Sequence, residues 1–322
     1  MPQGRIHTFD DPDRFQATFR AGNYQLVDVG RGRFHAELTH IDFDRLSLQR
    51  SDKDGPSAVH SASLTDRRAI MFLADAEQAA ARRNGMELSA REVVVHRPGS
   101  SNYLWTPGTS RLAMMSMKHS DFAAAARAIV GDDLPEPSHT HLASPTPEHL
   151  PRLRALYNAA CGLARTNPTL LTRPEAARAL EEELIHAMVS CLAAASPAKA
   201  QPGGGSRRRT MMRFEEFLAE KQYEPVYLAE ICAAIGVSER TLRTCCQENL
   251  GMSPMRYLWL RRMALARHAL LRADAASRTV TDVATEHGFW ELGRFAVEYR
   301  SLFGEAPSAS LRRPPHASTE AH

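Results

Sequence analysis

The sequence predicts an α+β protein of two differently built parts, a β-rich amino-terminal domain with a helical pair and an all-α carboxy-terminal domain. Three observations point there. Short apolar stretches between turn residues dominate residues 1–131, helical periodicity dominates residues 210–313, and a Pro-, Gly- and Ser-rich segment divides them. At 322 residues the chain also exceeds what one hydrophobic core usually organises, roughly 250 residues.

The strands come first. Tyr24–Val29, Phe34–Ile41, Arg45–Gln49, Ala69–Leu73, Arg91–His96 and Leu112–Lys118 are short apolar runs. Gly30-Arg31-Gly32, Lys53–Pro56, Asn84-Gly85 and Arg97–Ser100 punctuate them as turns. Many short strands with such turns suggest a small barrel or sandwich, of which a small β-barrel, cupin-like domain is the expectation. A proline-rich break over Asp132–Pro147 ends this domain.

Two helices follow, over Pro147–Arg165 and Arg173–Ala195. Leu150, Leu153, Leu156, Tyr157 and Ala160 share one face of the first, and Leu180, Leu184, Met188, Val189 and Leu192 share one face of the second. Over residues 147–196 this pair serves either as core cover or as a dimerisation surface for a homodimer. Residues 197–209 form a linker and 314–322 a tail.

Beyond the linker, Met211, Phe214 and Leu218 form an apolar helical stripe. A short helix over 227–234 then carries small Ala229 and Ala233, where another helix could approach closely. Gly236 permits the positive φ of a tight turn, Val237 plugs the corner, and Ser238 caps the next helix. This is a helix-turn-helix layout, whose second helix enters the DNA major groove. Leu242 with Cys245 or Cys246 faces inward, leaving Ser238, Arg240, Thr241, Arg243, Thr244 and Gln247 outward. Arginine can grip guanine O6 and N7 with two hydrogen bonds, and glutamine can do the same for adenine.

The plan repeats about 50 residues later. Val280, Val283 and Ala284 form the apolar face, Gly288 the turn and Phe289 the corner. Phe295 and Tyr299 point inward, leaving Glu291, Leu292 and Arg294 for the groove, with Arg300 beside them as a phosphate or core-edge contact like Arg261 and Arg262. A helix opening at Pro254 joins the units, with Tyr257, Leu258, Met263, Ala266 and Leu270 facing both. Recognition helices about 34 Å apart would enter successive major grooves on one face of B-DNA.

Residues 210–312 resemble the AraC/XylS family of bacterial transcription regulators. The resemblance rests on Gly251-Met-Ser-Pro254, Tyr257-Leu258, Arg261-Arg-Met263, Gly288-Phe289, Phe295, Tyr299, Phe303-Gly304 and Pro307. The last stretch, and Gly30–Leu38 in the first domain, look most like the branch holding the ethanolamine-operon regulator and the aromatic-acid-responsive activators. Cys246 and Tyr299 stand where the family usually has phenylalanine, and Ser310 where it often has tyrosine. The resemblance implies an amino-terminal domain that binds a small-molecule effector or dimerises. It also implies activation through RNA polymerase at promoter DNA. In the first domain Arg33 and His35, with Tyr103 and Trp105, either line an effector pocket or belong to barrel core and rim.

Composition excludes other classes. Residues 207–322 hold 17 Lys and Arg against 14 Asp and Glu, so the whole net charge of +3 lies there. No apolar run approaches the ~18 residues of a membrane span. The acidic amino-terminus lacks a signal peptide's apolar core, so a cytoplasmic location is expected. Five cysteines without a C-x-x-C pair argue against zinc or a disulfide framework. The only His-x-His, His139-Thr140-His141, has no glutamate at ligand spacing. His35, His40, His60 and His96 are scattered, so no catalytic site, metal or cofactor is expected. An architectural DNA binder would ignore sequence, whereas two groove-reading units imply specificity.

Overall fold

The structure, a computed structural model, describes residues 3–19, 24–30, 34–197, 204–221, 224 and 226–313. Arg33, Arg31-Gly32, linker residues 198–203 and the tail 314–322 lie outside them. The chain divides into two compact units, Met1–Leu26 with His35–Gly204, and Val27–Phe34 with Gly205–His322.

In chain order the first part contains β1 (Gln3–Phe9), α1 (Pro12–Thr18), β2 (Gln25–Asp28), β3 (Ala36–Asp42), β4 (Leu46–Lys53), β5 (Ser57–Ala62) and β6 (Arg67–Leu73). It continues with β7 (Ala81–Arg83), β8 (Met86–Leu88), β9 (Val93–His96), β10 (Ser101–Thr106), β11 (Ser110–Lys118) and α2 (His119–Val130). It closes with β12 (His141–Ser144), α3 (His149–Thr166), α4 (Pro168–Leu171), α5 (Pro174–Ala193) and β13 (Ser196–Pro197).

The strands form two sheets rather than one closed barrel. An eight-stranded sheet runs β1-β3-β4-β11-β6-β9-β12-β13 and a five-stranded sheet runs β2-β5-β10-β7-β8. Ladders from β1 to β13 are all antiparallel. Alternation along each strand sorts the large sheet's side chains to two faces. On β11, Ala113, Met115 and Met117 join a buried cluster with Tyr157 of α3 and Leu184, Met188 and Val189 of α5. The intervening Leu112, Met114 and Ser116 line a cavity.

The helical pair is thus used as core cover within its own unit, since its apolar faces are spent on the sheet. Polar ties fix its position. Arg154 donates from Nε to the Leu73 carbonyl at 2.9 Å, and buried Glu181 accepts the amides of Arg45 at 2.6 Å and Leu46 at 3.0 Å. The proline-rich break is partly ordered: β12 lies inside it, pairing antiparallel with β9.

The second part is helical throughout: α6 (Gly204–Glu220), α7 (Leu228–Ile235), α8 (Glu239–Leu250), α9 (Pro254–Arg272), α10 (Val280–Glu286), α11 (Leu292–Phe303) and α12 (Pro307–Arg312). Helix α6 begins inside the expected linker. Met211, Phe214 and Leu218 are buried along it. Ser253 caps α9 by accepting the Arg256 amide at 3.2 Å, and Pro254 occupies the first turn. Tyr257, Leu258, Met263, Ala266 and Leu270 are all buried, and α9 packs against α8, α10 and α12. It therefore spans both helix-turn-helix units. Among the described residues no helix is long and apolar enough to cross a membrane.

Candidate functional site

Each helix-turn-helix unit turns on a glycine. Gly236 and Gly288 have φ of +67° and +75°, a region L side chains rarely adopt. The Gly236 amide closes α7 on the Cys232 carbonyl, and the Gly288 amide donates to Thr285 at 3.0 Å. Ser238 opens α8, its Oγ accepting the Thr241 amide at 3.2 Å. In α8, Leu242 and both Cys245 and Cys246 are buried. Burial pushes the thiols of both cysteines up, which keeps them protonated and inert. Ser238, Arg240, Thr241, Arg243, Thr244 and Gln247 are exposed along one side. Ala229 and Ala233 are exposed as well: α7 buries Ile231, Cys232 and Ile235 instead, so small size serves no close helix approach there.

In the second unit Val283, Ala284, Phe289, Phe295 and Tyr299 are buried, and Glu291, Leu292, Arg294 and Arg300 are exposed. Thr279 and Asp282 form a full capping box at the start of α10. Arg294 donates from Nε to Glu298 at 2.9 Å and lies 4.0 Å from Glu291. The departures at 299 and 310 are coupled: Tyr299 donates to Ser310 Oγ at 2.7 Å, which donates to Glu305 at 2.7 Å. A hydroxyl absent at one position is supplied from the other. Arg261 is a core-edge contact, donating to the carbonyls of Leu218 at 2.8 Å and Lys221 at 2.7 Å. Arg262 stacks over Phe289 at 5.4 Å.

The first unit holds a cavity of about 330 Å³ between its sheets, within the size range of small-molecule pockets, roughly 300–1,000 Å³. Of the expected effector residues, Arg33 lies outside the described residues and His35, Tyr103 and Trp105 do not line it. His35 is exposed. On β10 alternation turns Leu104 to the cavity and sends Tyr103 and Trp105 to the opposite face. There Tyr103 packs on His60, ring centroids 5.0 Å apart, and Arg82 lies 5.5 Å over Trp105. The lining includes Arg5, Arg67, Arg83, His40 and His96 with serines and apolar side chains. Sequence reasoning missed Arg5 and Arg83 because β1 and β7, which bear them, lack an apolar run, and Arg67 because it precedes the apolar run of β6. Among the described residues no group of three His, Cys, Asp or Glu could hold a metal ion.

The family described as a helix-turn-helix domain matches residues 231–313. Over 100 residues the chain is 44% identical to the "Probable thc operon regulatory protein" of Rhodococcus erythropolis, covering 31% of this chain and 30% of that one. Over 99 residues it is 35% identical to the "XylDLEGF operon transcriptional activator 2" of Pseudomonas putida, covering 31% of this chain and 63% of that one. The chain thus spans under two thirds of the length of both relatives. A crystal structure of the AraC-like transcriptional activator CuxR aligns over 82% of this chain and 96% of its own, at 14% identity and a TM-score of 0.43. Over its paired helix-turn-helix units the chain is thus similar to transcription regulators of the AraC/XylS family.

Proposed function

We propose that this chain is a sequence-specific DNA-binding transcription regulator, an activator, controlled by a small-molecule effector in the cavity of its first unit. Its partners are promoter DNA and RNA polymerase, and it acts in the cytoplasm as a binding protein rather than an enzyme. One observation above all supports this. Arg240, Thr241, Arg243, Thr244 and Gln247 share the exposed side of a helix held by a left-handed glycine turn and a serine cap, and the glycine turn and exposed residues, without a side-chain cap, recur at Glu291, Leu292, Arg294 and Arg300. The activator reading follows the name of the Pseudomonas relative. Residues 1–131 supply the cavity, 147–196 the helical cover on the other face of its large sheet, and 210–313 the DNA contacts.

Selection of bound DNA from a random pool by the full-length protein tests this reading. Two short enriched blocks about ten base pairs apart are expected, as two recognition helices on one face of the duplex would give. Binding without any enriched sequence, falling steeply with salt, would replace it with an architectural role.

A further inference from the structure

We infer that the second helix-turn-helix unit reads thymine by its C5-methyl group, with Val297 making the apolar contact and Gly293 letting the helix come close enough to make it. The inference rests on the proposed DNA-binding role and names two further specificity-determining residues for it.

Helices α8 and α11 can be matched position by position. Each is 12 residues long and closes on a left-handed glycine, Gly251 and Gly304. Leu242 and Cys246 on α8 then correspond to Phe295 and Tyr299 on α11, and all four are buried. In that register Arg240, Thr244 and Gln247 of α8 correspond to Gly293, Val297 and Arg300 of α11, all of them exposed. Their i, i+4, i+7 spacing sets each trio on one stripe, away from the buried side. Where the first unit offers a guanidinium and a hydroxyl, the second offers no side chain and an isopropyl group.

The fold does not ask for this glycine. Gly293 lies inside α11 without a left-handed φ, and nothing stands within 4 Å of where its Cβ would be. Alanine would fit there and would favour the helix more. The missing side chain therefore concerns what meets the helix from outside. Val297, one turn further on, is 70% exposed, and exposed Trp290 and Leu292 continue the apolar surface towards the start of the helix.

The early turns of a recognition helix are the part that meets base edges. In the major groove thymine presents a methyl group, and an apolar side chain distinguishes it by covering that methyl. Valine has no donor or acceptor with which to read another base edge. Arg294 and Arg300, three residues to either side of Val297, set positive charge beside the stripe, where the phosphate walls of the groove would pass.

The test uses the full-length protein, fluorescence anisotropy and the duplex recovered by selection from a random pool. Each thymine of the enriched blocks is replaced in turn by deoxyuridine, which removes only the C5 methyl. One replacement should weaken binding about fourfold, the worth of one buried methyl group. Val297→Ala should weaken binding to the thymine duplex and lose most of its response to that replacement, whereas Arg240→Ala should keep the response. Gly293→Ala should raise the melting temperature of the DNA-free protein by about 2–4 °C and yet weaken binding. Gly293→Leu should weaken it about 5- to 100-fold, the cost of overpacking a close contact.

Indifference to every deoxyuridine, an equal response in Val297→Ala, or parental affinity in both Gly293 variants would overturn the inference and leave the regulator reading standing. So would a site with a single enriched block. Unchanged DNA affinity in Val297→Ala with reduced transcription from the selected site would assign this face to a protein partner instead. Selection without any enriched sequence would strike the regulator reading and this inference together.

Discussion

The two helix-turn-helix units share a backbone plan and differ in what they turn outward. Helix α8 presents Arg240 and Arg243, neither ion-paired among the described residues, beside Thr241, Thr244 and Gln247. Around α11 the exposed side holds Glu291, Leu292 and Arg294, with Trp290 and Val297 exposed at 76% and 70%. Arg294 is already held by Glu298 and faces Glu291. A guanidinium bound by carboxylates must release them before it reaches a base, so under the proposed DNA-binding role the first unit is the one expected to read by hydrogen bonds. The second is better suited to apolar contact, such as with thymine methyl groups.

Their interiors differ in the same sense. Each unit buries a tyrosine hydroxyl near a glutamate. In the first, Tyr257 donates to buried Glu215 at 3.4 Å. In the second, the chain from Tyr299 through Ser310 ends on Glu305, which Arg313 pairs at 2.6 Å. Burial pushes the Glu215 carboxyl from its ordinary 4.5 to about 8, and Arg261 and the Tyr257 hydroxyl offset only part of this.

The largest expected effect follows from that carboxyl. The folded chain holds the Glu215 proton more tightly than the unfolded chain. The stabilisation is therefore complete below pH 4.5 and is lost as pH rises toward about 8. The slope reaches about 1.4 kcal/mol per pH unit at its steepest. Glu215→Gln should flatten this dependence and be the more stable protein at pH 8 in chemical denaturation. Equal denaturation midpoints for both proteins across the window would mean that Glu215 titrates normally.

Next comes DNA affinity. Arg240→Ala or Arg243→Ala should each cost ~1–3 kcal/mol at the selected site and relax one base position. Arg294→Ala should cost less, and Glu298→Ala, which frees Arg294, should tighten binding. If Arg294→Ala proves the most damaging of the three arginine variants, the contrast between the units is reversed. Backbone strain gives a comparable but unit-neutral effect. Nothing lies within 4 Å of where a Gly236 Cβ would stand, so Gly236→Val meets strain alone. It should lower stability by about 1–3 kcal/mol, and Gly288→Val should do likewise. Unchanged melting in either would mean that its turn does not need the left-handed conformation.

The two domains were unequally legible, for a physical reason. In the helical domain local chemistry and global packing agree: Gly236, Gly288, Ser238 and Pro254 mark the ends of helices, and the stripe Met211, Phe214 and Leu218 marks a buried face. In the first domain the strands β3, β4, β6, β9 and β11 show through because one face of each is apolar against α3 and α5. Strands β1, β5, β7 and β10 were not visible. Their cavity-facing positions include Arg5, His7, Ser61 and Arg83, which break the apolar alternation that betrays a strand. The same substitution of polar for apolar residues hid the cavity, and it drew attention to the aromatic Tyr103 and Trp105 on the outer face.

The smallest expected effects concern how the first helix of each unit begins. Thr279 and Asp282 close a reciprocal cap on α10, whereas α7 starts at Tyr227, 62% exposed and without a side-chain cap. The two starts have the same backbone problem, free amides in the first turn, and only one solves it with a side chain. Thr279→Ala should therefore destabilise the domain by about 1 kcal/mol, and Tyr227→Ser should stabilise it by up to about 1 kcal/mol. Thermal denaturation of the two variants reads both signs at once. If Tyr227→Ser lowers the melting temperature, Tyr227 must be contributing contacts that outweigh a missing cap. The first unit's exposed start would then be a feature of its surface rather than a gap in its local chemistry.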